Sequence, residues 1–129
     1  MKNATSEKVF FEAGFFDVAS LLYTILSPSA IIVASNAFME TQKRLTLEGN
    51  IVISVGLFGH SGDNEVWTAG TKEMLDDMHK RKIDMADEIF IINVGGYIGS
   101  STRSEIEYAK ENGKPIIYLE PDPDHPREE

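Results

Sequence analysis

The sequence predicts an α/β fold, a small doubly wound parallel sheet of at least four strands with helices on both faces. Three observations predict it. Short runs that are apolar throughout recur at Ala30-Ile-Ile-Val-Ala-Ser35, Asn50-Ile-Val-Ile-Ser-Val55, Glu88-Ile-Phe-Ile-Ile-Asn-Val94 and Lys114-Pro-Ile-Ile-Tyr-Leu119, whereas a sheet with one wet face would alternate. Helical patterns separate these runs, the order expected of parallel strands joined by crossovers. The length, 129 residues, suits one domain on a prior of about 100–200 residues each. Together they describe a flavodoxin-like or Rossmann-like arrangement.

Taken in order, residues 1–28 read as an aromatic helical extension. Val18 to Leu26 is apolar enough to suggest a signal peptide, but Glu12 and Asp17 interrupt the region, and the run is far short of the ~20 residues that span a bilayer. An amphipathic helix carrying Phe10, Phe11, Phe15 and Phe16, packed on the body or at a subunit contact, fits better. The α/β domain covers 29–120. Its first strand is Ala30–Ser35, with Asn36 as N-cap of a helix that ends at Gly49. After the second strand, Gly56, Gly59, Gly62 and Asp63 mark a long loop. Lys72 to Ala86 is helical with Leu75, Met78, Lys82 and Ala86 along one stripe. The loop after the third strand, Gly95-Gly-Tyr-Ile-Gly-Ser100, leads to a helix from Arg103 to Asn112 closed by Gly113. Pro115 stands at the start of the fourth strand, where a missing N–H is tolerated. The tail, 121–129, is acidic, proline-rich and extended; His125 there is solvated.

Composition narrows the function. Twelve Lys and Arg against twenty-one Asp and Glu give −9, which opposes a nucleic acid polymer or an anionic membrane as partner. With no cysteine, thiolate metal sites, disulfides and cysteine nucleophiles are excluded. A small-molecule ligand held by backbone N–H groups remains allowed, in a cytoplasmic protein that forms a homodimer or higher homo-oligomer. Neither a cofactor nor a metal is called for: His60, His79 and Asp63 lack ligand spacing.

Ligands of doubly wound sheets sit at the carboxyl ends of the strands, which selects Ser35, Asn36, the 56–63 loop and the 93–105 segment. In the last, Gly96 and Gly99 precede Ser100, Ser101 and Thr102 at a helix start, an anion-binding arrangement. It is neither a dinucleotide fingerprint nor a Walker loop, because the spacing and the terminal Lys are missing. Thr102 and Glu105 fit two readings. One is a capping box, with Glu105 reaching back to its own helix start. The other is a carboxylate at the mouth of a cleft, placed to attack an anomeric carbon.

The segment from His79 through Ala86-Asp-Glu-Ile-Phe-Ile-Ile-Asn93, followed by Gly96-Tyr-Ile-Gly-Ser-Ser-Thr-Arg-Ser-Glu-Ile-Glu-Tyr-Ala109 and Gly113-Lys-Pro-Ile-Ile-Tyr-Leu119, resembles the nucleoside 2-deoxyribosyltransferase superfamily. That superfamily includes relatives that hydrolyse the N-glycosidic bond of deoxynucleoside 5′-monophosphates. The resemblance covers about residues 30–120. It implies that Glu105 attacks C1′ of a deoxyribosyl group, expels the base, and is displaced by a second base or by water with net retention. Ser100, Ser101 and Thr102 would then hold the sugar's 5′ end or a 5′-phosphate, with Ser35 and Asn36 facing the same end. His79 or Asp84 would take the place of the acid near the base. A histidine suits that role, although His79 also reads as an ordinary helix-surface residue. Phe58 and Trp67 would stack on a heterocycle and His60 would read its edge, or the same loop is an exposed turn with a packed Trp. Two departures stand out: relatives begin strand one near residue one, and often follow it with glycine. They leave open a nucleotide-binding or sensing module without chemistry.

Overall fold

The structure, a computed structural model, describes residues 7–14, 28–54 and 70–121. In chain order these form β1 (Val9–Gly14), α1 (Pro28–Leu47), β2 (Ile51–Ile53), α2 (Thr71–Met85), β3 (Glu88–Ile92), a 3₁₀ turn (Val94–Gly96), α3 (Ser100–Glu111) and β4 (Ile116–Tyr118). The four strands lie in the order β2-β1-β3-β4 and every pairing is parallel. The chain steps outward from β1 to β2, then returns across β1 to β3. Right-handed crossovers in opposite directions place α1 on one face and α2 with α3 on the other. Packing agrees: the Phe11 ring lies 5.9 Å from that of His79 on α2, while the Gly14 backbone meets Phe38 of α1 on the opposite face.

The α/β class and the parallel sheet are as predicted, but the first strand is not. Val9–Gly14 is β1, the inner strand between β2 and β3, and Ala30–Ser35 lies inside α1. Residues 9–14 are therefore not an added helix, and Phe10 and Phe11 are core rather than surplus. Two preferences compete here. Ile31, Ile32 and Val33 favour strand, but β-branching costs a helix only tenths of a kcal/mol per residue, and Pro28 sits where a helix accepts proline, at its first position. Val9–Gly14 in turn gains ladders on both sides, from Val9↔Ile51 to Phe11↔Ile53 and from Phe10↔Glu88 to Gly14↔Ile92. Glu12, which the sequence presents as an interruption, is enclosed in that strand with 1% of its surface exposed. Phe15, Phe16 and Val18 to Leu26 lie outside the described residues, as does the tail beyond Pro121.

The other elements start and stop where local chemistry dictates. Gly49 closes α1 with φ 95°; its N–H reaches Thr46 O at 2.9 Å, and that of Asn50 reaches Leu45 O at 3.1 Å. On α2 the sheltered line keeps Leu75 and Ala86 of the predicted stripe, with Lys82 half-buried, and adds His79 and Ile83, while Met78 is 41% exposed. Asp87 occupies the helix-to-strand corner as a structural residue. Its carboxylate accepts the Val9 N–H at 2.8 Å and its own N–H donates to Val9 O at 2.6 Å, which pins β1 to β3. Helix α3 begins at Ser100, three residues before the predicted start.

At the end of β1 a side chain has no room. A Cβ on Gly14 would stand 2.6 Å from Ile92 O and 3.2 Å from the Phe38 ring. Gly14→Ala must push β1 from β3 or displace a core aromatic, and is expected to cost about 1–3 kcal/mol. Urea unfolding should show a lower midpoint; an unchanged midpoint would mean that the two strand ends are not in this contact.

Candidate functional site

Strand order reverses between β1 and β3, so the crevice of this sheet opens at Gly14 and Asn93. Three pieces of chain meet there. Helix α3 arrives with Thr102, which is 1% exposed and donates its hydroxyl to Gly14 O at 3.1 Å. The turn after β3 is held by Asn93, fully buried, whose carboxamide donates to Glu120 O and accepts the Glu120 N–H, both at 2.9 Å. The Gly95 N–H donates to the Glu120 carboxylate. Gly95 and Gly96 follow with φ of 67° and 80°, and nothing lies within 4 Å of where either Cβ would be, so the turn is open on its outer side. Gly99 is the N-cap of α3 and supplies no side-chain cap. The N–H groups of Ser100, Ser101 and Thr102 thus point from the first helical turn toward the crevice.

One turn further along α3 stands Glu105. Its Oε1 lies 2.6 Å from His79 Nδ1, and the two side chains keep only 9% and 13% of their exposure. As a carboxylate, Glu105 accepts from Nδ1–H. The Phe11 ring, tilted at 52°, backs the imidazole. Lys82, one turn after His79 on α2, donates Nζ to Ser54 O at 2.8 Å. Burial pushes the Lys82 ammonium below its ordinary value, and the charge of Glu105 opposes that shift.

The capping-box reading of Thr102 and Glu105 does not hold. Thr102 is the third residue of the helix and not its N-cap, and its hydroxyl crosses to β1. The spacing T-x-x-E here serves two different contacts, one with β1 and one with α2.

Of the residues predicted for the site, Gly96, Gly99, Ser100, Ser101 and Thr102 come together at the crevice, and His79 and Glu105 touch. Three others are elsewhere. Ser35 and Asn36 lie within α1 rather than in the turn after the first strand, because that strand ends at Gly14. Asp84 accepts the Tyr108 hydroxyl at 2.8 Å near the C-terminal end of α2, where Lys114 caps Ala86 O at 2.8 Å. That end delivers the chain to the start of β3, so Asp84 latches α2 to α3 on the side away from the crevice. Phe58 and His60, with Trp67 and Asp63, lie outside the described residues.

Sequence reasoning selected the segment that begins at Asn93 but missed Gly14, Lys82 and Glu120 as parts of the site. An apolar run ended by glycine, Val9-Phe-Phe-Glu-Ala-Gly14, was the available signal for the first. The others act over separations of 25 to 28 residues that carry no local periodicity.

No family model, curated protein or solved structure matches the chain. Among the described residues no group of three His, Asp or Glu side chains could hold a metal ion, and no helix is long and apolar enough to cross a membrane.

Proposed function

We propose that the protein cleaves or transfers at the N-glycosidic bond of a deoxynucleoside or its 5′-monophosphate, through a covalent glycosyl–Glu105 intermediate. The observation that carries this reading is the Glu105–His79 contact of 2.6 Å at a topological switch point, in a helix whose T-x-x-E spacing is not used as a cap. The two departures from the superfamily pattern also lose force. The first strand begins at Val9, and glycine ends it.

In this mechanism a Glu105 oxygen bonds to C1′ as the C1′–N bond breaks, and the bonding pair leaves with the base, which takes up a proton. Water or a second base then displaces the carboxylate, giving net retention. The first turn of α3 holds the 5′ end through its N–H groups and the Ser100 hydroxyl. The reading includes a cytoplasmic homo-oligomer; sedimentation of the full chain tests its oligomeric state.

Incubation with a panel of deoxynucleosides and their 5′-monophosphates, with and without free base, is the direct experiment. Base release or exchange by the wild type is expected, and its absence across the panel would defeat the enzymatic reading. A second reading, a binding or sensing module, draws on the shelter of the pair, which leaves a substrate carbon little access to Glu105. That module would show thermal stabilisation by nucleotide without turnover.

A further inference from the structure

Helix α2 differs in chemistry between its two flanks. One is joined to α3, through His79 with Glu105 and Asp84 with Tyr108. The direction of the other is fixed by Lys82, whose Nζ donates to Ser54 O at the end of β2. Met74, Met78, Lys82 and Met85 recur at the spacing of a single helix stripe, so the three methionines lie on the β2 flank as well. All three are exposed, Met85 by 67%. Ile51 extends the patch. Val9 and Phe11 share a face of the sheet by alternation, the face on which Phe11 meets His79, and their register partners Ile51 and Ile53 share it too. Because Asp87 accepts the Val9 N–H, α2 ends beside the start of β2, where Ile51 is 63% exposed. β2 is itself an edge of the sheet.

A row of exposed methionines beside a sheet edge suits a protein contact, and the charges of the same helix select the partner. Past Lys72, α2 carries Glu73, Asp76 and Asp77, and then Lys80, Arg81 and Lys82. Asp84, the acid that follows, is bonded to Tyr108 on the α3 side. Asp77 and Arg81 pair within the helix at 3.0 Å and stay largely exposed at the rim of the methionine row. Two copies related by a twofold axis parallel to α2 would set Asp77 against Asp77 and Arg81 against Arg81. An axis across the helix, between His79 and Lys80, does the opposite. Met74 then faces the partner's Met85, Met78 faces the partner's Arg81, and Asp77 faces the partner's Lys82, which has donors to spare beyond Ser54 O. The flank is complementary to itself, as an isologous contact requires.

We propose that this flank is the contact face of a symmetric homodimer, in which α2 packs antiparallel on α2 of a second copy and Ile51 borders the contact. The proposal rests on the homo-oligomer in the reading above and not on the chemistry at Glu105.

The chain has no cysteine, so introduced ones report without background. Sedimentation of the full-length wild type over a dilution series is expected to show a dimer. Asp77→Arg, which sets cations against cations, should raise its dissociation constant at least about 10-fold. Under mild oxidation an equal mixture of Met74→Cys and Met85→Cys chains should form disulfide-linked dimers of mixed composition. Either variant alone should not, because antiparallel helices bring position 74 to 85 and hold 74 from 74, beyond the reach of a disulfide. A monomer at every concentration overturns the proposal, and is the result expected if residues 55–69 or a different protein cover the flank. In a protein that does dimerise, an unmoved constant in Asp77→Arg, or cross-links no more frequent in the mixture than in either variant alone, overturns the face and leaves the homo-oligomer standing. If Asp77→Arg fails to fold, the cross-linking decides by itself. A dimer that meets both expectations but releases no base supports the face and defeats the enzymatic reading alone.

Discussion

Glu105→Gln is expected to reduce release of base from a deoxynucleoside 5′-monophosphate by at least about 10³-fold, with a folded protein left behind. Loss of a catalytic nucleophile costs rates of this order or more, because a carboxamide cannot form and then release the glycosyl ester. The substitution keeps the volume of the side chain and leaves an oxygen to accept from His79 Nδ1–H, so the contact between α2 and α3 survives. A helix cap would behave differently. Its removal would cost about 1 kcal/mol of stability and nothing in turnover per folded molecule. Turnover and urea midpoint measured on the same preparation separate the two roles. Equal turnover by wild type and Glu105→Gln would remove Glu105 from the chemistry.

What could be read from sequence follows from how local each determinant is. β2, β3 and β4 are continuous apolar runs, and burial on both faces writes itself into the run of β3, whereas the edge strands β2 and β4 leave Ile51 and Ile117 exposed. Gly49 and Gly113 mark helix ends because the left-handed turn needed there is itself local. β1 was hidden by its own contents: a carboxylate in mid-strand breaks the apolar pattern, and only the flanking strands β2 and β3 show that the position is interior. The reverse error at Ala30–Ser35 has the same root, since a β-branched run states a preference and tertiary packing overrules it. The site divides likewise. The glycine turn and the hydroxyl residues before α3 are contiguous and were legible, and so was Glu105. The partnership of Glu105 with His79 spans 26 residues and depends on α2 and α3 sharing a face of the sheet. That follows from strand order, which depends on where β1 lies in the sheet.

Glu12 should make stability fall as pH rises, and Glu12→Gln should remove that fall. The carboxyl lies within β1 on the face toward α1, opposite His79. One of its oxygens, Oε2, has no hydrogen-bond partner, and burial pushes its pKa up from 4.5 to about 8. Phe90, its register partner on β3, lies under the guanidinium of Arg44 at 5.6 Å. Between the two pKa values the folded chain holds a proton that the unfolded chain has released. Stability therefore declines with pH across the window from about 4.5 to about 8, at up to about 1.4 kcal/mol per pH unit. Below it both states are protonated and above it both are ionised, so the slope vanishes at either end. Glutamine cannot ionise, so the variant should match the wild type near pH 4.5 and exceed it increasingly toward pH 8, by a few kcal/mol. Urea unfolding of both proteins at pH 5, 6, 7 and 8 measures the difference, and parallel curves would show that Glu12 does not carry the effect. The comparison also protects the catalytic experiment. Gly14, two residues on, forms one wall of the crevice, so a fall in wild-type activity as pH rises toward 8 that Glu12→Gln restores reports loss of β1 and not a change at a catalytic group.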